Sequence, residues 1–368
     1  IYYVKAIFPF RMSPLYPYPS SIGWYFYPAI LSFITTAFIL WRTYFKSKNK
    51  VTFFGVAFFF ANVALLLQVF GAGQGFLADR FTYIPYFGLF FIMAYYINAL
   101  IKNKPNLKNI VLGLTGVVLL AYAFLNFNQN KIWKDSATLW THVLKHYDHT
   151  TLPWGNRANY YRDNGQTQKA LYDYGQVIRL KPNAPEPYNS RARLYFNFSQ
   201  RDSLLKALSN YNKAIELKED VEYVVNRGAT YAKLGNFEKS LENLNHAERI
   251  DPTFANIYLN RSVIYNRSGN YAKALEDVTK YLNLKPFYAD MWYEKGRLHY
   301  ILQQYQEAVN SCSRAIQNNV KNGLYYFERA KAYQSLGNSP QAKSDLQTSQ
   351  RLGYKGDANT TNTITNSN

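Results

Sequence analysis

A pattern with a period of 34 residues fills the chain from about residue 150 almost to its C-terminus, and long apolar stretches fill the part before residue 130. The repeat shows most plainly in a small residue in the middle of each presumptive first helix. It falls at Ala158, Ala192, Gly228, Ser262, Gly296 and Ala330, in steps of 34, 36, 34, 34 and 34. Three residues further on, Tyr161, Tyr195, Tyr231, Tyr265 and Tyr333 recur on the same helix face, and His299 breaks the series in the fifth repeat. Ala170, Ala207, Ala274, Ala308 and Ala342, with Ser240 in the third repeat, mark the close crossing of a second helix. Gly165, Gly235, Gly269 and Gly337 mark the turn between the helices. Pro182, Pro252 and Pro286 stop the second helices, because proline cannot continue one.

A helix–turn–helix unit of 34 residues with these marks is the tetratricopeptide repeat. The chain is therefore expected to be all-α, with polytopic membrane helices followed by an α-solenoid of about six repeats over residues 151–356. Repeat two departs from the pattern: Asn197 to Ser203 replaces its turn glycine, and it carries two extra residues. Residues 131–150 read as a connecting and capping helix, with Trp133, Trp140, Val143, Leu144 and Tyr147 near one face. The Asn/Thr-rich segment 357–368 reads as a disordered tail.

Such solenoids bind extended segments or partner helices on the concave face. Two residues before each small position stand Asn156, Ser190, Asn226, Asn260, Glu294 and Glu328. An amide supplies both donor and acceptor, so an asparagine series along a groove can bond a peptide backbone without reading its sequence. These six are the candidate groove contacts. The next position holds Arg157, Arg191, Arg227, Arg261, Lys295 and Arg329, and the plain reading of that series is solvation and local pairing.

Residues 1–130 are expected to form a membrane domain with spans at 22–41, 51–70, about 84–100 and about 110–127. Each is close to the roughly 20 apolar residues needed to cross a bilayer. This half holds ten Lys/Arg and one acidic residue, Asp79; residues 131–368 hold 32 basic and 22 acidic residues, interspersed as on a solvated surface. Arg42, Lys46, Lys48 and Lys50 follow the first span, and Lys102, Lys104 and Lys108 follow the third. By the positive-inside rule those two loops are cytoplasmic. Residues 1–21, the loop 71–83 and everything after residue 130 are then extracytoplasmic. Arg80 stands at the mouth of the third span, where a guanidinium can grip a lipid-linked phosphate bidentately. Asp79 and Arg11 are grouped with it as candidate donor-phosphate contacts. The alternative is an Asp79–Arg80 pair that only fixes loop geometry, or an arginine reaching to headgroups.

Neither a compact basic stripe nor a recognised nucleic-acid module is present, so nucleic acid is not an expected partner. The single cysteine, Cys312, excludes an intrachain disulfide and falls at a packing position of repeat five. His142 and His146 share a helix face near Asp148 and His149, but no further ligand has convincing spacing, and no metal is expected. There is no phosphate-binding glycine loop and no serine elbow.

The run Ala78-Asp79-Arg80-Phe81-Thr82-Tyr83-Ile84-Pro85-Tyr86-Phe87-Gly88, a last span, Trp133-Lys134-Asp135-Ser136 to Leu139-Trp140 and then the repeats together resemble one family. The chain is similar to the C-terminal part of the transmembrane-and-tetratricopeptide-repeat glycosyltransferases of the C superfamily. These include eukaryotic protein O-mannosyltransferases and many bacterial relatives. The resemblance implies sugar transfer from a polyprenyl-phosphate donor to a protein hydroxyl outside the cytoplasm, with Arg80 helping to hold the donor phosphate and the solenoid presenting the acceptor. The family's catalytic aspartate lies in an early extracytoplasmic loop that nothing here matches, and Asp79 belongs to the later motif. The expectation is the C-terminal portion of such an enzyme, in a multi-pass protein of a bacterial inner membrane with periplasmic repeats. The alternative is a non-catalytic, membrane-anchored scaffold for envelope proteins.

Overall fold

The computed structural model describes residues 13, 16–17, 26–66, 75–77 and 83–366, in two compact units divided between Pro182 and Asn183. Arg11, Asp79 and Arg80 lie outside the described residues.

The first unit opens with a short antiparallel pairing of β1 (Tyr16–Pro17) and β2 (Gly75–Leu77), with Tyr16 opposite Leu77. Its apolar helices are α1 (Phe26–Trp41), α2 (Lys50–Leu66), α3 (Tyr83–Asn103) and α4 (Lys108–Ile132). Helices α2 and α3 approach so closely that only glycine fits at the crossing. A Cβ on Gly88 would lie 2.4 Å from the Gly55 carbonyl oxygen, and one on Gly55 would lie 2.6 Å from the Gly88 oxygen. Small residues at such crossings let backbones approach, as between helices in lipid. Beside it, Phe59 stacks on Tyr86 with ring centroids 6.4 Å apart.

Of the four expected spans, two helices among the described residues are long and apolar enough to cross a membrane: Ile84–Asn103 (20 residues) and Pro105–Ile132 (28 residues). Helices α1 and α2 run for 16 and 17 residues, short of the roughly 20 that a bilayer requires. The expected spans 22–41 and 51–70 extend into residues that are not described. Helix α4 has no buried residue, and Leu120 is 72% exposed.

The expected connecting helix over 131–150 is shorter, α5 (Ser136–Leu144), because Trp133 still closes α4 and the Asp135 carboxylate accepts a 2.7 Å hydrogen bond from the Thr138 backbone N–H and caps the new helix. It buries Val143 and Leu144. Helices α6 (Thr151–Asp163) and α7 (Thr167–Leu180) form repeat one.

The second unit continues the repeats as α8 (Pro185–Asn197) and α9 (Arg201–Leu217), α10 (Val221–Lys233) and α11 (Phe237–Ile250), α12 (Asn256–Arg267) and α13 (Tyr271–Leu284), α14 (Ala289–Ile301) and α15 (Tyr305–Asn318), and α16 (Gly323–Ser335) and α17 (Ser339–Arg351). Val224, Leu244, Ile257, Ile264, Val278 and Leu298 form the centre of its core, each at most 1% exposed. The turn glycines Gly235, Gly269 and Gly337 have φ of +80°, +74° and +75°. Repeats two and five make the same left-handed turn without glycine, at Ser199 (φ +58°) and Gln303 (φ +59°). A side chain there costs about 1–2 kcal/mol.

The two extra residues of repeat two are absorbed mainly as helix. Helix α9 has 17 residues where α11, α13 and α15 have 14. The arginine of repeat two finds its partner 19 positions on, where repeat four needs 16, so three residues are gained before that partner and one is lost after it.

The expected disordered tail is instead a helix, α18 (Ala358–Asn366). Its composition is polar, but Ile364 is fully buried against Phe327, Ala330, Ala342 and Leu346. Ile364 stands one further 34-residue step beyond Ala330, so α18 takes the place of the first helix of a seventh repeat. The Asp357 carboxylate caps it, accepting from the Thr360 N–H at 2.8 Å.

Candidate functional site

The arginine series is internal, not a ligand contact. Arg157 donates to Asp173 at 2.7 and 2.9 Å, Arg261 to Asp277 at 2.8 Å through two nitrogens, and Arg329 to Asp345 at 2.7 and 2.8 Å. Arg191 and Arg227 find Asn210 and Asn243 at the same place. The remaining guanidinium nitrogen reaches the helix that precedes the arginine's own pair: Arg157 donates to Thr141, Arg227 to Asn212, Arg261 to Asn245 and Glu248, and Arg329 to Ser313. A planar fork with fixed donors suits this double role, which lysine's single ammonium cannot fill. Burial works against the charge on Arg261, but its bonds to Asp277 and Glu248 outweigh burial and raise its pKa. Burial raises the pKa of Asp277 even against Arg261.

The tyrosine series is internal too. Lys169, Lys206, Lys239 and Lys273 place their ammonium groups 5.3 to 5.8 Å from the ring centres of Tyr161, Tyr195, Tyr231 and Tyr265. At exposed sites such contacts are worth about 0.5–1 kcal/mol.

In the second unit the first helices α8, α10, α12, α14 and α16 form a row that carries five of the six groove candidates. Neighbours along it touch directly. Asn226 donates to Asn189 at 3.3 Å, linking α10 to α8, and Asn266 donates to Glu294 at 3.3 Å, linking α12 to α14. The Tyr325 hydroxyl donates to Asp290, linking α16 to α14. Lys233 donates to the Phe196 carbonyl and to Ser199.

Along this row the candidates differ in availability. Asn226 spends a donor on Asn189, and Asn260 donates to the Asn256 carbonyl of its own helix at 2.8 Å. Glu294 accepts two bonds from Arg297, at 2.7 and 3.0 Å. Glu328 is 8% exposed and pairs with Lys331 at 3.1 Å. Ser190 is half-buried on α8. Asn156, also half-buried, lies on α6 in the first unit.

Sequence reasoning missed the residues three positions further along these helices. Arg193 and Val263 are exposed, and Arg297 is half-buried. They could have been found by stepping three residues along the same helix face from the asparagine series.

No catalytic constellation accompanies the row. Cys312 is 1% exposed, and burial pushes its thiol up to about 12, away from thiolate chemistry. The His142 and His146 rings pack edge to face at 5.6 Å. Among the described residues, no three His, Cys, Asp or Glu side chains come together as a metal site would require.

Comparison with known proteins agrees with the repeat. Residues 158–197 and 228–269 match the TPR repeat family, and residues 259–319 match the tetratricopeptide repeat family. The chain is similar to the human protein O-mannosyl-transferase TMTC1, with 24% identity over 119 residues, which is 32% of this chain and 13% of that protein. The Mus musculus protein of the same name is 23% identical over 118 residues, 32% of this chain and 12% of its own length. The chain thus spans about an eighth of the curated relatives it matches. Among solved structures, one described as a functional characterization of Pseudomonas aeruginosa pilF superposes with a TM-score of 0.50 at 16% identity, covering 58% of this chain and 96% of that one. The APC/C hetero-tetramer Cut9-Hcn1 gives 0.48 at 14% identity, covering 64% and 46%. These likenesses concern the fold.

Proposed function

We propose that this chain is a membrane-anchored tetratricopeptide solenoid that holds a protein partner as an extended segment along the first helices of repeats two to six. The observation that supports this reading is the row itself. Five first helices follow one another, with side-chain hydrogen bonds joining α8 to α10, α12 to α14 and α14 to α16, and leave Arg193 and Val263 open to solvent. Amides fixed in this way can exchange their weak mutual bonds for a peptide backbone. Helices α3 and α4, with their lipid-like exposed faces, provide the anchor, and α1 and α2 complete a four-span block. The test places a photo-crosslinking amino acid at Val263 in the full chain in membranes. Adducts to a polypeptide at Val263, absent when the same group sits at exposed Tyr172, are expected; equal labelling at both positions refutes the reading.

A second reading is favoured by the similarity to the O-mannosyl-transferases. In it the chain is the C-terminal portion of a membrane glycosyltransferase. The donor is a polyprenyl-phosphate sugar whose phosphate is gripped by Arg80 with Asp79 and Arg11, and the solenoid presents the acceptor outside the cytoplasm. An arginine's fixed charge would stabilise the leaving phosphate as charge develops. Sugar transfer unchanged by Arg80→Ala in a normally expressed protein would remove Arg80 from that mechanism. Transfer lost on that substitution would favour this reading over the scaffold.

A further inference from the structure

Repeat five alters one position that the other repeats fill alike. Between their two helices a guanidinium meets Asp173, Asn210, Asn243, Asp277 or Asp345. By the 34-residue step, Lys295 replaces Arg261 and Ser311 replaces Asp277. The flanking acceptors change as well, from Asn245 and Glu248 to Thr279 and Leu282. The cation has therefore lost both of its carboxylates.

Lys295 is half-buried in α14, and its ammonium lies 5.4 Å from the Trp292 ring centre. No carboxylate pairs with it among the described residues, and burial alone lowers its pKa. Ser311 is 5% exposed, and no side-chain hydrogen bond engages its hydroxyl among the described residues.

In repeat one the corresponding place is open to solvent. There an open pocket of about 380 Å³ is lined by Arg157, Tyr161, Gln168, Lys169, Tyr172 and Asp173. In repeat five the register puts Lys295, His299, Gln306, Glu307, Asn310 and Ser311 at those six places, none a larger side chain, with Glu307 standing where repeat one has Lys169.

We propose that repeat five presents a carboxylate seat, built from the Lys295 ammonium and the Ser311 hydroxyl, which an acidic side chain of a protein partner fills. The shape argues for a carboxylate, because aspartates occupy the same place in repeats one, four and six. The charge argues for a single one. Glu307 lies close enough to act on His299, and a dianion such as phosphate would meet more repulsion from it. The seat lies between the first and second helices, not along the row of first helices, so it stands or falls separately from the peptide reading.

The test uses the full chain in detergent with its lysines ¹³C-methylated, and the Lys295 resonance identified by its loss in Lys295→Met. N-acetylglutamate methylamide should shift that resonance saturably, and the glutamine analogue should leave it in place. Ser311→Asp should fill the seat from within, move the resonance without ligand and remove the response. Should that variant fail to fold, the same loss of response is read from ligand-induced stabilisation in Lys295→Met, which should drop to the level of the glutamine analogue. Equal responses to the two analogues, or stabilisation by glutamate that survives Lys295→Met, overturns the proposal. A larger response to inorganic phosphate than to glutamate overturns the choice of carboxylate.

Discussion

The Sγ of Cys312 lies 2.5 Å from where a β-carbon on Gly296 would stand, so the cysteine fills the space that glycine leaves at the crossing of α14 and α15. Repeat three is looser at the same crossing, where a β-carbon on Gly228 would find Leu244 Cγ at 3.3 Å. Gly296→Ala should therefore destabilise the chain by about 1–3 kcal/mol through overpacking. Combined with Cys312→Ala it should cost less than the two single changes added together. Urea unfolding of the full chain in detergent, carried through the double-mutant cycle, measures the coupling. Strict additivity would contradict the contact.

Arg261 and Asp277 are 6% and 3% exposed at their side chains. Asp277→Ala leaves a buried guanidinium with only Asn245 and Glu248 for company. A loss of about 1–3 kcal/mol is expected, the cost of leaving buried donors unsatisfied while Glu248 still pairs with the charge. Replacing Asp345, which is 10% exposed beside an arginine at 20%, should cost less. Equal losses would mean that burial does not set the penalty.

Glu248 supplies a pH dependence. Burial works to raise its pKa, but hydrogen bonds from Arg261 and Lys280 outweigh it and hold the group below its ordinary value of 4.5. A carboxylate depressed in the folded state adds stability that is complete above its unfolded value and fades as pH falls through the folded one. The stability gap between the natural chain and Glu248→Gln should thus be constant near neutrality and close below about pH 4.5. Thermal midpoints of both chains between pH 7 and 3 would show it; a gap that widens in acid would reverse the assignment.

What could be read without coordinates was whatever repeats with period 34. The turn glycines have positive φ and the proline stops follow the ends of α7, α11 and α13, because glycine and proline act on their own backbone and need no partner. What escaped depended on partners far along the chain. The arginine series read as solvation and local pairing, and its actual partners, 16 residues away on another helix, could not be named. Ser199 and Gln303 take the left-handed turn because the packed helices on either side impose it. The groove candidates stand on the first helices, but which of their amides and carboxylates are already engaged depends on neighbours along the chain. Composition misled at the C-terminus, where one isoleucine in register outweighs a run of Asn and Thr.

That isoleucine makes the fourth prediction. Ile364→Ala removes the one apolar anchor of α18, and large-to-small changes at buried sites cost about 2–5 kcal/mol. The local cost cannot exceed the free energy of docking a nine-residue helix. Hydrogen exchange should therefore show lost protection across residues 358–366, while the core around Val224 and Leu298 stays protected. Uniform loss through the second unit would mean that α18 is not a separable cap.

His299 should titrate below the ordinary histidine value of 6.5, because burial disfavours its charged form. A base depressed by folding adds stability that is present above its unfolded value and lost as pH falls below it. Stability should decline from about pH 6.5 downward in the natural chain and decline less in His299→Tyr, which restores the tyrosine of the other repeats. A histidine resonance moving above 6.5 would reverse the sign.

Because the guanidinium position recurs in every repeat, the molecule carries its own sibling experiments. One seat holds a lysine and the others hold arginines, one partner is a serine and the others are aspartates or asparagines, all within one chain at one temperature and one ionic strength. A substitution at Lys295 can be judged against its counterparts at Arg261 and Arg329 in a single sample, where differences of preparation cancel and only the local environment is left to explain what is seen.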